Sequence, residues 1–196
     1  MLGALKYALS NLLNFEGRDA RQTFWYYVLL LYIATMVVTF LVAVPAYARM
    51  IAGMMKTVSL NPDDPTAING VMASSMSELM VSMLWLSFGS AIVTALLLAA
   101  SLVRRLHDSD LSGWWALLPA VCQVGALALL PQQIGQMTTM MEGMYSSDPA
   151  VAMGSFQNQF QLFSLIGWIP WIALIVFGVR KSTPGPNRYG EGPVSF

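Results

Sequence analysis

Four long apolar runs alternate with polar stretches along the chain. Phe24 to Val44 holds 21 residues without a charge, and Leu79 to Val103 holds 25. Trp114 to Leu130 holds 17 with Pro119 inside, and residues 162–179 hold 18 with Pro170 inside. A helix needs about 20 mostly apolar residues to cross the hydrocarbon core of a bilayer. The runs are continuous rather than alternating, so helices rather than barrel strands satisfy the backbone in lipid. The pattern therefore predicts an all-α membrane protein with four transmembrane helices at about 24–44, 79–103, 114–130 and 162–179. The last two are short and proline-bearing, which predicts kinks or helices that extend past these bounds. Ahead of them, Leu2, Leu5, Leu9, Leu12 and Leu13 recur at helical spacing. This predicts a short N-terminal amphipathic helix over 2–13, lying on the membrane face or packed on the bundle.

Composition strengthens the membrane reading. Of 196 residues, 56% are apolar and only 10% charged, against about 25% charged in ordinary soluble domains. The formal net charge is zero, so no basic excess points to nucleic acid. The single Cys122 lies in an apolar run and forms no internal disulfide. The start of the chain shows no convincing export cleavage site.

Lysine and arginine set the orientation. Lys6, Arg18 and Arg21 precede the first run, Arg104 and Arg105 separate the second and third, and Arg180, Lys181 and Arg188 follow the fourth. With four spans these regions share one side, and only Arg49 and Lys56 fall on the other. Both termini and the central turn are expected on the cytoplasmic side. The chain reads as one integral membrane domain over 1–196, ending in an irregular cytoplasmic tail at 181–196, where Pro and Gly break any helix.

The longer loops, about 45–78 and 131–161, are expected outside and helical. Methionine, present 14 times, recurs there at helical spacing, as in Met72, Met76 and Met80. Asn61-Pro62-Asp63-Asp64-Pro65 is expected to divide the first loop into two helices, and Asp148-Pro149 the second. The methionine stripes suit packing, adaptable partner contact or, less well without histidine and cysteine nearby, a soft metal. No cofactor or metal site is expected from the residues.

Three polar segments stand at the predicted cytoplasmic face. They are Phe15-Glu16-Gly17-Arg18-Asp19-Ala20-Arg21-Gln22-Thr23-Phe24-Trp25, then Arg104-Arg105-Leu106-His107-Asp108-Ser109-Asp110-Leu111-Ser112-Gly113-Trp114-Trp115, then Gly185-Pro186-Asn187-Arg188-Tyr189-Gly190. In order and placement, the chain resembles the bacterial inner-membrane family called domain of unknown function 805, the YhaH-like proteins. The resemblance covers nearly all of the chain except the two outer loops. It implies a membrane bundle and supplies no activity. Members often carry glycine and then a basic residue before Ser-Gly-Trp-Trp, where this chain has Asp110 and Leu111. Aspartate tolerates the left-handed backbone that glycine adopts in a turn.

The candidate interaction cluster comprises Arg18, Asp19, Arg21, Arg104, Arg105, His107, Asp108, Trp114, Trp115, Asn187, Arg188 and Tyr189. Asp19 is placed as an N-cap of the first span, with Gly17 permitting the turn before it. Arg104 and Arg105 are placed as cations at a helix C-terminus facing an anionic leaflet. The tryptophans suit the interface. Pairs such as Arg18 or Arg21 with Asp108 are expected to staple the surface segments, and Arg188 with Tyr189 to fold back on the central turn. The same cluster also suits an anionic head group or a partner protein.

No nucleophile–base pair or metal cluster is visible, so the chain is expected not to be an enzyme. The four runs carry no ionisable group, which disfavours an ion-coupled carrier. Ser87, Ser90, Thr94 and Ser101 lie at roughly helical spacing, and suit either an oligomeric channel or contacts between helices. The preferred reading is an accessory subunit, scaffold or regulator that binds membrane lipids, a membrane-protein complex or further copies of itself. The alternative is a small transporter or oligomeric channel.

Overall fold

The computed structural model describes residues 2–60, 64–144 and 167–193. Its elements are α1 (Leu2–Ser10), α2 (Arg21–Leu60), α3 (Pro65–Asp108), a 3-10 turn (Gly113–Ala116), α4 (Leu117–Ala128), α5 (Leu130–Met144) and α6 (Gly167–Val179). Among the described residues there is no β-strand.

Two helices, α2 and α3, are long and apolar enough to cross a membrane, and the α4–α5 pair makes a third if read as one broken span. The segment expected over 114–130 as a short helix, kinked or running past those bounds, is two helices that reach Met144. It opens as a 3-10 turn and breaks at Leu129. Pro131 supplies the reason, because it has no N–H to bond the carbonyl of Leu127 and crowds the turn before it. α6 is the shorter apolar helix, and the first residues of the span expected over 162–179 lie outside the described residues.

α2 and α3 have 40 and 44 residues, about 60 Å and more at 1.5 Å per residue. α2 continues through Pro45 instead of stopping before it. It ends at Leu60, and α3 starts at Pro65, so the chain divides where the Asn61–Pro65 breakers stand. Proline suits the first helical position, and the Asp64 carboxylate caps the helix by accepting from the Thr66 N–H at 2.9 Å. Asp148-Pro149 lies outside the described residues.

The residues form two compact units. One comprises Met1–Met36, Ser90–Ala126 and Leu165–Phe196. Its core follows helical periodicity in the sequence. Phe24, Tyr27 and Leu31 of α2 meet Leu98, Leu102 and Leu106 of α3, Ala173 and Phe177 of α6, and Ala8 of α1. α1 thus packs on the bundle, with Leu5 and Leu12 against the same cluster, while Leu9 and Leu13 stay exposed. Gly178 permits the closest approach. A Cβ there would lie 2.7 Å from the Trp25 ring, whose Nε1 donates to the Gly178 carbonyl at 3.2 Å. Away from this core, Ile33, Leu96, Val121 and Ile172 are exposed, as faces turned to lipid rather than to water require.

The other unit comprises Val37–Gly89 and Leu127–Ser164. It buries Leu79, Phe88 and Leu130. Met72 is exposed and Met76 and Met80 are half-buried along one stretch of α3.

Candidate functional site

The first unit carries a knot of charge that water does not reach. Arg18, Asp19, Arg104, Arg105 and Asp108 are all at most 3% exposed. An isolated ion so placed costs several kcal/mol, so each must be paired and hydrogen-bonded. The chain brings them together because Arg104, Arg105 and Asp108 lie on the last turns of α3, while Arg18 and Asp19 lie in the segment entering α2.

Asp19 accepts from Arg104 Nε at 2.9 Å and from Ser101 Oγ at 2.8 Å. Its own N–H donates to the Arg104 carbonyl at 3.2 Å. Arg104 Nη1 also donates to the Asn11 carbonyl at 2.9 Å and to that of Asn14, and the Tyr7 ring lies 5.5 Å from its Cζ. One arginine thereby fixes the end of α1, the entry to α2 and the end of α3. Burial, then the Asp19 charge, raises the Tyr7 phenol above its ordinary range, so this group stays protonated.

Asp108 serves two arginines. Its Oδ1 accepts from Arg18 Nε and Nη2 at 3.2 and 3.0 Å, and its Oδ2 from Arg105 Nη1 and from Ser182 Oγ. Three guanidiniums against two carboxylates leave a positive excess, and backbone carbonyls absorb it. Arg18 donates to the carbonyls of Thr183 and Gly185, each at 2.7 Å, and to Glu191 at 3.2 Å. Arg105 donates to Gly178 at 3.2 Å, to Arg180, and to Asp19 at 3.5 Å. The carbonyls of Gly178 and Arg180 lie at the end of α6, where a helix leaves acceptors unsatisfied.

Above the knot, the tail folds over the central turn. Thr183 donates to the Asp108 carbonyl through both N–H and Oγ1, at 2.9 and 2.8 Å. Asn187 Nδ2 donates to the His107 carbonyl at 2.9 Å. The Tyr189 ring stacks on His107 with centroids 3.8 Å apart. Arg188 pairs with Asp110 at 3.1 Å, and its Cζ lies 4.8 Å over the Tyr189 ring. Asp110 has φ 55, the left-handed backbone that aspartate accepts more readily than most residues. Gly113 is fixed by space, because a Cβ there would meet Val103 at 2.9 Å and His107 Nε2 at 3.2 Å. Burial above all lowers the His107 pKa from 6.5; the Gly17 backbone opposes this, and the Arg188 charge adds to it.

The structure thus divides the sequence candidates into groups. Arg18, Asp19, Arg104, Arg105 and Asp108 form the interior, and His107, Asn187, Arg188 and Tyr189 form its cover. Arg104 and Arg105 are buried partners rather than cations facing a leaflet, which corrects the expectation for them. Asp19 lies two residues before the start of α2, and its carboxylate engages α3. Arg18, not Arg21, takes Asp108, and Arg21 is exposed. Trp114 is 78% exposed and Trp115 53%, the latter tilted against Phe177 at 6.4 Å. Met72, Met76 and Met80 belong to the other unit. Sequence reasoning missed Ser182 and Thr183, and it named Ser101 only as a residue for a channel or for contacts between helices, without its bond to Asp19. Ser101 lies one turn ahead of Arg104, and this spacing is the only local signal of its role.

Among the described residues no group of three or more His, Cys, Asp or Glu side chains could hold a metal ion. The two buried carboxylates are fully ion-paired, and the histidine is covered by a tyrosine. The arrangement locks three chain segments to one another.

The family model described as "Protein of unknown function (DUF805)" matches residues 12–191. The chain is similar to the inner membrane protein YhaH of Escherichia coli strain K12, with 24% identity over 94% of this chain and 91% of the relative. The same protein of Escherichia coli O157:H7 matches equally. No solved structure matches.

Proposed function

The chain belongs to the DUF805 family, and from that premise we propose that it is a non-enzymatic multi-pass protein of the bacterial inner membrane, acting as an accessory subunit or scaffold. In this reading α2, α3, the broken α4–α5 pair and α6 make four spans. Both termini and the charged knot lie on the cytoplasmic side, as the distribution of Lys and Arg favours. One observation carries the reading. The five buried charged side chains all bond one another, a hydroxyl or the backbone, so they hold a shape instead of turning over a substrate. The surface that this shape presents is the tail cover of His107, Tyr189, Arg188 and Asp110, and a membrane-protein partner is its expected occupant.

The test is extraction of the tagged chain in native-lipid nanodiscs, followed by mass spectrometry. A stoichiometric membrane-protein partner is expected with the parent chain, and its loss is expected with Arg188→Ala and Tyr189→Ala. A clean homo-oligomer without any partner would overturn the subunit reading and favour an oligomeric channel.

A further inference from the structure

The basic residues of the charged end divide sharply. Arg18, Arg104 and Arg105 are consumed inside the knot, and Arg188 pairs with Asp110. Arg21, Arg180 and Lys181 are exposed, and none of them has an ion pair among the described residues. These three come from opposite ends of the chain, yet the fold gathers them. The single Arg105 guanidinium donates to the carbonyl of Asp19 and to that of Arg180. The start of α2 and the end of α6 are therefore no farther apart than one guanidinium can bridge. Trp25, one turn after Arg21, donates to Gly178 at 3.2 Å, and Trp115 rests against Phe177 in the same last turn of α6.

We propose that this junction is a binding site for one acidic phospholipid, with its phosphate among Arg21, Arg180 and Lys181 and its glycerol region beside Trp25 and Trp115. Three observations carry it. The neighbouring carboxylates of Asp19 and Asp108 are buried and already engaged, so they do not compete for the free cations. The indoles of Trp115, which is exposed, and of Trp25, which is half-buried, suit the head-group level of a bilayer, where basic side chains attract anionic lipid. Val179, the last residue of α6, is 54% exposed directly before the two cations, which continues the apolar path that an acyl chain needs. A lipid meets all three features, whereas a free phosphate uses only the cations.

The site rests on the proposed membrane placement, but it is tested through residues that the partner surface does not use. The full chain, purified in detergent, is exposed to equal amounts of phosphatidylglycerol and phosphatidylcholine and read by native mass spectrometry. One phosphatidylglycerol adduct is expected in clear excess over phosphatidylcholine. The triple variant Arg21→Gln, Arg180→Gln, Lys181→Gln is expected to bind it on the order of a hundredfold more weakly. The charge-keeping Arg21→Lys, Arg180→Lys variant is expected to retain it. Millimolar inorganic phosphate is expected not to displace it.

Equal retention of both lipids, undiminished binding by the triple variant, or displacement by phosphate would each overturn the site. None of these outcomes touches the partner reading, which is scored on Arg188 and Tyr189. A tail cysteine that is labelled from outside intact spheroplasts would instead overturn the placement on which both depend.

Discussion

Asp108→Asn isolates the stability of the knot from its shape. Asparagine keeps the volume and one acceptor oxygen but removes the charge facing Arg18 and Arg105. In the parent protein both ion pairs have side chains at most 1% exposed. Removing one member of a buried pair costs about 3–5 kcal/mol, because the remaining ion is left uncompensated. Here two guanidiniums lose the same carboxylate, so a loss of at least about 3 kcal/mol is expected. That is a large part of the roughly 5–15 kcal/mol that holds a typical domain folded. Asp110→Asn is the matched control. It removes the same charge from a pair whose side chains are 58% and 48% exposed, where the expected loss is about 0–1 kcal/mol. Unfolding in mixed micelles, followed by tryptophan fluorescence, measures both. If the two variants differed by less than about 1 kcal/mol, the buried ion pairs would not be what holds the three segments, and the reasoning would fail.

Two more substitutions follow from the packing and the cover. Gly178→Ala puts a methyl 2.7 Å from the Trp25 ring and should cost about 1–3 kcal/mol, with a shift in the emission of Trp25; an unchanged midpoint would show that the ring yields freely. His107 has its pKa lowered below 6.5, so the unfolded chain binds the proton more readily than the folded one. Its neutral form therefore favours the fold above pH 6.5, and that contribution is lost as pH falls below 6.5. Tryptic cleavage of the tail should accelerate over that fall, and His107→Gln should flatten the dependence.

The helices are legible because apolar runs have length and period. The division near Pro65 is legible from its breakers, and the left-handed turn from an aspartate standing where glycine often serves. What local pattern does not encode is which charge meets which. Arg104 and Arg105 look like ordinary C-terminal cations until residues 11–19 and 178–191 close over them. Arg18 and Arg21 are indistinguishable by spacing, and only the packed geometry gives Asp108 to the first. The break at Leu129 is signalled only by Pro131, which stands just past the apolar run and so outside the bounds that the run itself sets. The continuation of α2 past Pro45 is hidden for the opposite reason, since a helix interior can absorb one lost hydrogen bond when its neighbours hold it.

The reach of Arg18 sets a timetable for biosynthesis. Its guanidinium needs the carbonyls of Thr183 and Glu191, 165 and 173 residues downstream. While the ribosome is still making the middle of the chain, α2 can enter the membrane, but the entry segment stays unlatched. Only the last residues to emerge complete its coordination. A product cut short before the tail thus keeps the pair of Arg18 with Asp108 but leaves its Nη1 without the carbonyls of Gly185 and Glu191, which distinguishes it from finished protein.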